Sequence, residues 1–273
     1  MKVLLVILTL LLQSLCKGQN SDSVFLRWKI EPNETRTYAV TIHQNVLSNK
    51  KSDTSQFLLN IKDFFYGPKD SYSGTDTFIC NLTKKRKNII NIDWVTYNES
   101  IRPIGADTST ALIWRKSTPG DTVLRGSVYD NGVMHSFYSP QTNYLAFYFQ
   151  LPNKKIKIGD SWPVDFNYIF FNEGFICDSA YKLNSVTLTD ISRINNEMIA
   201  IISYDLIEYV SGKGGGFLSK KKDNILMEFK HKAIGKFSIT KGRWLSYEGT
   251  QETIPTGMMS LRTQSKVSLS LQE

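Results

Sequence analysis

The residues able to do chemistry are few, and they are scattered. Three histidines are present, His43, His135 and His231, each in a separate expected strand or turn. None belongs to an HExxH motif or has a partner four residues on, so a metal site would need long-range convergence. Neither Cys80 nor Cys177 belongs to a CxxC pair, which leaves zinc and thioredoxin-type chemistry without local support. No Gly-x-Ser-x-Gly elbow occurs, and with it goes the local sign of an α/β-hydrolase nucleophile. The run Gly212-Lys-Gly-Gly-Gly216 is tempting as a phosphate loop, but it lacks the Gly-Lys-Ser/Thr ending and a following helix; it reads as a hairpin tip. Asp160, Asp165, Asp178, Asp190 and Asp205 could supply two carboxylates for glycoside cleavage, yet the separation that decides that mechanism is not a property of sequence. Surface solvation accounts for them more simply. No catalytic set, metal or cofactor is expected.

The compartment is read from the N-terminus. Residues 3–15 contain only three polar side chains, Thr9, Gln13 and Ser14, and follow the single cation Lys2. A charged start, an apolar run and the small residues Cys16 and Gly18 at positions −3 and −1 are the parts of a secretory signal peptide, cut between Gly18 and Gln19. The apolar run is shorter than the roughly 20 residues that span a bilayer. Lipid attachment at Cys16 is the minority alternative, because Leu15 stands where lipoprotein processing wants a small residue. The expectation is an exported protein, periplasmic, outer-surface or secreted. The leader holds Lys2 and Lys17 and no acid, so its removal lowers the formal net charge from +8 to +6.

Export gives the remaining cysteines meaning. Cys80 and Cys177 could form one bridge between the two halves of the chain, if their Cα atoms lie within about 7 Å; two buried free thiols are the equal alternative. Sequons occur at Asn33-Glu-Thr, Asn81-Leu-Thr and Asn98-Glu-Ser, about as often as chance provides.

The elements that must position these residues are strands. Met259, Leu261, Thr263, Ser265, Val267, Leu269 and Leu271 alternate with wholly polar neighbours, the pattern of a long half-buried strand. Tyr38, Val40 and Ile42 alternate likewise, and Ile90, Ile92, Trp94 and Thr96 share one face. Residues 123–129 and 133–138 are joined by Asp130-Asn131-Gly132, a strong hairpin signal, and residues 236–240 and 243–248 by Lys241-Gly242. Residues 181–188 and 198–209 read as further strands. Helical signal is thin: residues 140–151 read as a short helix beginning near Pro140, while Tyr144-Leu-Ala-Phe-Tyr-Phe reads equally as a buried strand. The fold class predicted is mostly β, with long antiparallel strands in curved sheets or an open barrel or sandwich, and at most one or two short helices. Two related halves, residues 19–139 and 159–273, flank a connector at 140–158.

Several blocks resemble a loose group of exported, β-rich proteins of unknown function from Bacteroidetes-type bacteria. They are Phe25-Leu-Arg-Trp-Lys-Ile, Thr37-Tyr-Ala-Val-Thr-Ile-His-Gln, Gln150-Leu-Pro-Asn-Lys-Lys-Ile-Lys-Ile-Gly-Asp-Ser-Trp, Ala233-Ile-Gly-Lys-Phe-Ser-Ile and Gly242-Arg-Trp-Leu-Ser-Tyr-Glu-Gly. The resemblance implies no activity and no site residues. Physically, Gly159-Asp160 reads as a turn and Trp162 as a core anchor.

Two features remain that could bind something. Phe147, Phe149, Phe166, Phe170, Phe171 and Phe175 could face a lipid or other small apolar ligand, or fill a core. Basic clusters at residues 84–87, 154–157 and 220–222 read as solvated loops, or as contacts for acidic glycans, phosphates or anionic headgroups. No nucleic-acid motif is visible. The sequence therefore points to an exported, non-enzymatic binding or scaffold module whose partners would be envelope glycan, lipid or another envelope protein. A lipid carrier and a glycan-acting hydrolase are the alternatives. An outer-membrane barrel is a weaker rival, since the chain ends in Leu271-Gln272-Glu273 rather than an aromatic residue.

Overall fold

The period-two segments pair into one antiparallel sheet. The computed structural model describes residues 23–48, 71–86, 88–97, 100–103, 114–138, 142–169, 174–214, 223–256 and 261–272. Gly18, Gln19 and Cys16 lie outside the described residues, as do Asn98, Phe170, Phe171 and the cluster at 220–222.

In chain order the strands are β1 (Thr35–Ser48), β2 (Ser71–Arg86), β3 (Ile89–Thr96), β4 (Ser100–Pro103), β5 (Trp114–Ser117), β6 (Thr122–Tyr129) and β7 (Met134–Tyr138). Helix α1 (Thr142–Phe149) follows, then β8 (Ser161–Trp162), β9 (Ile176–Ile194), β10 (Glu197–Gly214), β11 (Asp223–Ser238), β12 (Arg243–Thr256) and β13 (Leu261–Gln272). Eleven strands form a sheet in the order β7-β6-β3-β2-β1-β13-β12-β11-β10-β9-β8, while β4 and β5 pair separately. The sheet does not close, because its edge strands β7 and β8 do not pair with each other. The expected mostly β fold of long antiparallel strands with at most one or two short helices is the fold observed among the described residues, as one open sheet.

Strands β1–β7 come from residues 19–139 and β8–β13 from residues 159–273. The two sets meet where β1 pairs with β13, in register from Thr37 opposite Gln272 to Ser48 opposite Leu261. Alternation then decides the faces. Tyr38 and Val40 of β1, Cys80 and Leu82 of β2, Ile90, Ile92 and Trp94 of β3, Leu206 of β10 and Leu269 of β13 all point to one face and are buried. Their neighbours in sequence face water, as a sheet packed on one side requires.

The buried face is covered by α1 and two extended segments. Ala146, Phe147, Tyr148 and Phe149 are all fully buried, and a helix apolar all round can only sit in the interior. Residues 24–30 alternate like a strand, with Val24, Leu26, Trp28 and Ile30 inward, but cross the hairpin tips instead of joining the sheet. Trp28 N donates to Asp130 O at 2.8 Å and Lys29 N to Gly242 O at 3.0 Å, tying this strap to both hairpins found in the sequence. Its Trp28 indole donates to Phe149 O at 3.0 Å, and the Trp244 indole donates to Tyr148 O, so two buried tryptophans hold the C-terminal carbonyls of α1. Burying each such side chain contributes about 1.5–3 kcal/mol.

The turns show why some residues stand where they do. Gly132 has φ 81°, and a Cβ there would lie 2.3 Å from Leu151 Cβ, so glycine is required. The β9–β10 turn uses Asn195 and Asn196, both at positive φ (48° and 64°), a hairpin signal absent from the sequence reading. Asp160 Oδ2 accepts the Lys157 amide at 3.0 Å, making the expected turn, and Trp162 is buried as the anchor after it.

Candidate functional site

The interior is packed around α1. The Phe147 ring stacks on His231 at 4.6 Å and 9°, lies parallel to Phe229 at 6.2 Å, and contacts Phe166 at 5.9 Å. Phe149 meets Trp28 at 5.9 Å, and Tyr148 meets Tyr247 edge-on at 4.7 Å. Phe147, Phe149 and Phe166 are thus buried core residues. Phe175 is half-buried and lies over β10, where a Cβ at Gly212 would come 2.6 Å from its ring and one at Gly214 3.3 Å. Gly212 and Gly214 therefore belong to the end of a strand whose inward face carries an aromatic ring.

The histidines are not brought together. His231 is fully buried on β11 and its Nε2 lies 2.5 Å from the Tyr247 hydroxyl. Burial pushes its pKa down to about 3, so the imidazole is neutral. The hydroxyl of Tyr204, Nδ1 of His231 and the amide nitrogen of Gln251 are buried with no hydrogen-bond partner among the described residues. His43 lies on the opposite face of the sheet, with Nδ1 2.9 Å from Thr75 Oγ1. His135 lies on β7 beside Ser127 Oγ at 3.1 Å. Among the described residues no group of three His, Cys, Asp or Glu could hold a metal ion.

The cysteines are both free: Cys80 is buried in β2 and Cys177 is exposed in β9, strands well separated in the sheet order. They form no bridge. Of the basic clusters, residues 154–157 serve partly in packing, since the Lys155 ammonium stands 5.6 Å from the Phe25 ring. Sequence reasoning missed Glu208 altogether. It is buried on β10, accepts the amides of Tyr168 at 2.7 Å and Ile169 at 3.2 Å, and so clasps residues 163–169 over the core. An acid in an otherwise apolar alternation, Leu206 then Glu208, was the available signal.

The polar face holds the candidate site. A twisted sheet is saddle-shaped, and a groove of about 750 Å³ lies on this face across β1, β13, β12, β11 and β10. Register aligns its lining in two rows. Thr41, Ser268, Glu248, Ile234 and Ser203 stand opposite one another in the first, and His43, Lys266, Thr250, Lys232 and Asp205 in the second. The rows continue in hydroxyls at both ends, through Thr77 and Thr75 of β2 and Thr187 and Ser185 of β9. Lys232 stands 3.9 Å from the Asp205 carboxylate, while Ile234 offers an apolar patch 58% exposed. The site combines hydroxyl, amine and carboxylate groups with one apolar contact on a rigid frame. Asp205 is the one aspartate of the five singled out in sequence that lines it. No protein-family model matches the chain, and no curated protein is similar to it.

Proposed function

We propose that the chain is an exported, non-enzymatic binding module of the cell envelope or its surroundings, and that it takes a hydroxyl-rich glycan in the groove on the polar face. One observation carries the reading: five adjacent strands align ten side chains in two rows, all but Ile234 able to hydrogen-bond, along one trough. Sugar hydroxyls both donate and accept, and such a mixed array meets them without a deep pocket. The interior supports the outer face as the binding surface, since Phe147 packs on Phe166 and His231 within it. The carrier alternative draws on those same rings and has less to recommend it.

The test is binding to immobilised envelope glycans and their oligosaccharides, comparing the wild type with Ser268→Trp, which places a bulky ring in the groove from a solvent-exposed position. The expected result is saturable binding that falls at least tenfold in the variant, with unchanged thermal unfolding. Equal binding by both proteins would remove the groove from consideration. Turnover of a glycan, abolished by Asp205→Asn or Glu248→Gln, would favour the hydrolase alternative.

A further inference from the structure

We infer that the ligand of this groove is an acidic saccharide, with Lys266 receiving its carboxylate; the inference rests on the glycan reading above. The charges of the groove are unequal in their commitments. Lys232 faces the carboxylate of Asp205 across one strand spacing, at 3.9 Å, and its charge is partly answered. Lys266 stands between His43 on β1 and Thr250 on β12, and its ammonium has no ion pair among the described residues. It stands second in the second row, two strands from Lys232, about 10 Å away at the strand spacing of a sheet.

The groups around Lys266 complete the selectivity. Thr250 lies opposite Lys266 on the next strand, Ser268 two residues along its own strand and Thr41 diagonally on β1, hydroxyls suited to the ring hydroxyls that flank a uronate carboxylate. Glu248, in the neighbouring row, can accept from a sugar hydroxyl but repels a second carboxylate placed over it. One cation flanked by hydroxyls with an acid on the far row fits a saccharide carrying a carboxylate on one side of its chain. A neutral glycan would leave Lys266 without a counter-charge, and a strongly sulfated one would meet Glu248 and Asp205.

The experiment uses the full chain, with an aldotetraouronic acid, which carries a single carboxylate, and its methyl ester as probes, which share ring hydroxyls and differ in charge. Titration calorimetry at low salt is expected to show the acid bound about tenfold more tightly than the ester. Lys266→Met should remove that preference, so that acid and ester bind the variant alike. Lys266 is exposed, so the variant is expected to unfold at the wild-type temperature, and Lys266→Arg should restore the preference. Equal affinity for acid and ester, or an unchanged preference in Lys266→Met, overturns the acidic-saccharide inference while leaving glycan binding standing. Binding of neither probe or of any other glycan, with saturable binding of an acidic peptide instead, overturns both.

Discussion

His231 is a weak base held where its charged form cannot be solvated, and this makes stability depend on pH in a defined way. Phe147 of α1 covers the ring, Tyr204 of β10 meets it edge-on, and Tyr247 and Gln251 face it from β12; no carboxylate among these neighbours could stabilise an imidazolium. The folded pKa is about 3 against the ordinary 6.5. A base with a depressed folded pKa leaves stability whole above pH 6.5 and drains it below, because the unfolded chain takes up a proton that the folded chain refuses. Between pH 7.5 and pH 5.0 the loss comes to about 2 kcal/mol, near the limit of about 1.4 kcal/mol per pH unit. Urea denaturation at both pH values, in wild type and in His231→Gln, measures it. Glutamine keeps a polar group beside Tyr247 and does not titrate. Glu34, held below the usual carboxylate range by its hydrogen bond to Arg36, and Glu197, held low by Ser238 and Lys241, lose stability too as pH falls, but equally in both proteins. The difference between the two pH dependences therefore isolates His231. The variant should be less stable at pH 7.5 yet lose about 2 kcal/mol less on acidification. Parallel pH dependences would show that the imidazole is protonated in the folded protein and would refute the argument.

Three further outcomes follow from the packing. Phe147→Ala removes the ring that bridges α1 to His231, Phe229 and Phe166, and should cost about 3–5 kcal/mol in chemical denaturation. Gly235→Ala places a Cβ 2.5 Å from the Trp244 ring and should cost about 1–3 kcal/mol, with a change in tryptophan emission in the folded state. Of Cys80 and Cys177, a thiol reagent followed by peptide mapping should find only exposed Cys177 labelled in the native protein. Cys80, whose thiol burial holds far above its usual pKa, should label only after unfolding.

What the sequence disclosed, and what it withheld, follows from the range of the interactions involved. The alternation in β1 and β13 is local, and both strands were legible from single residues such as Val40 and Leu269. Residues 144–149 were ambiguous because a helix buried on all sides has no apolar stripe to set its period. The groove was hidden for a different reason: Thr41, Ser268, Glu248, Ile234 and Ser203 become one row only through the pairing order of five strands. Even a correct hairpin misleads there. Counting back from Ser238 opposite Arg243 would set His231 against Thr250, but a bulge near Lys236 shifts it to Gln251. One extra residue exchanges faces, so His231 and its partner Tyr247 could not be found from the turn alone. Glu208 was invisible as a clasp because its ligands are backbone amides forty residues away, which carry no side-chain signature.

The pairing of β1 with β13 has a consequence for how the chain comes to be folded. The middle of the sheet joins segments far apart in sequence, so Thr37 meets Gln272 only after everything between them has been made. Until then β1 presents a row of unsatisfied amides and carbonyls along its unpaired side, and such an edge invites pairing with a second unfinished copy. Closing so long a loop is slow. The hazard lies in the waiting time rather than in the folded molecule, and a nascent chain held apart from its copies until β13 has been made would avoid it.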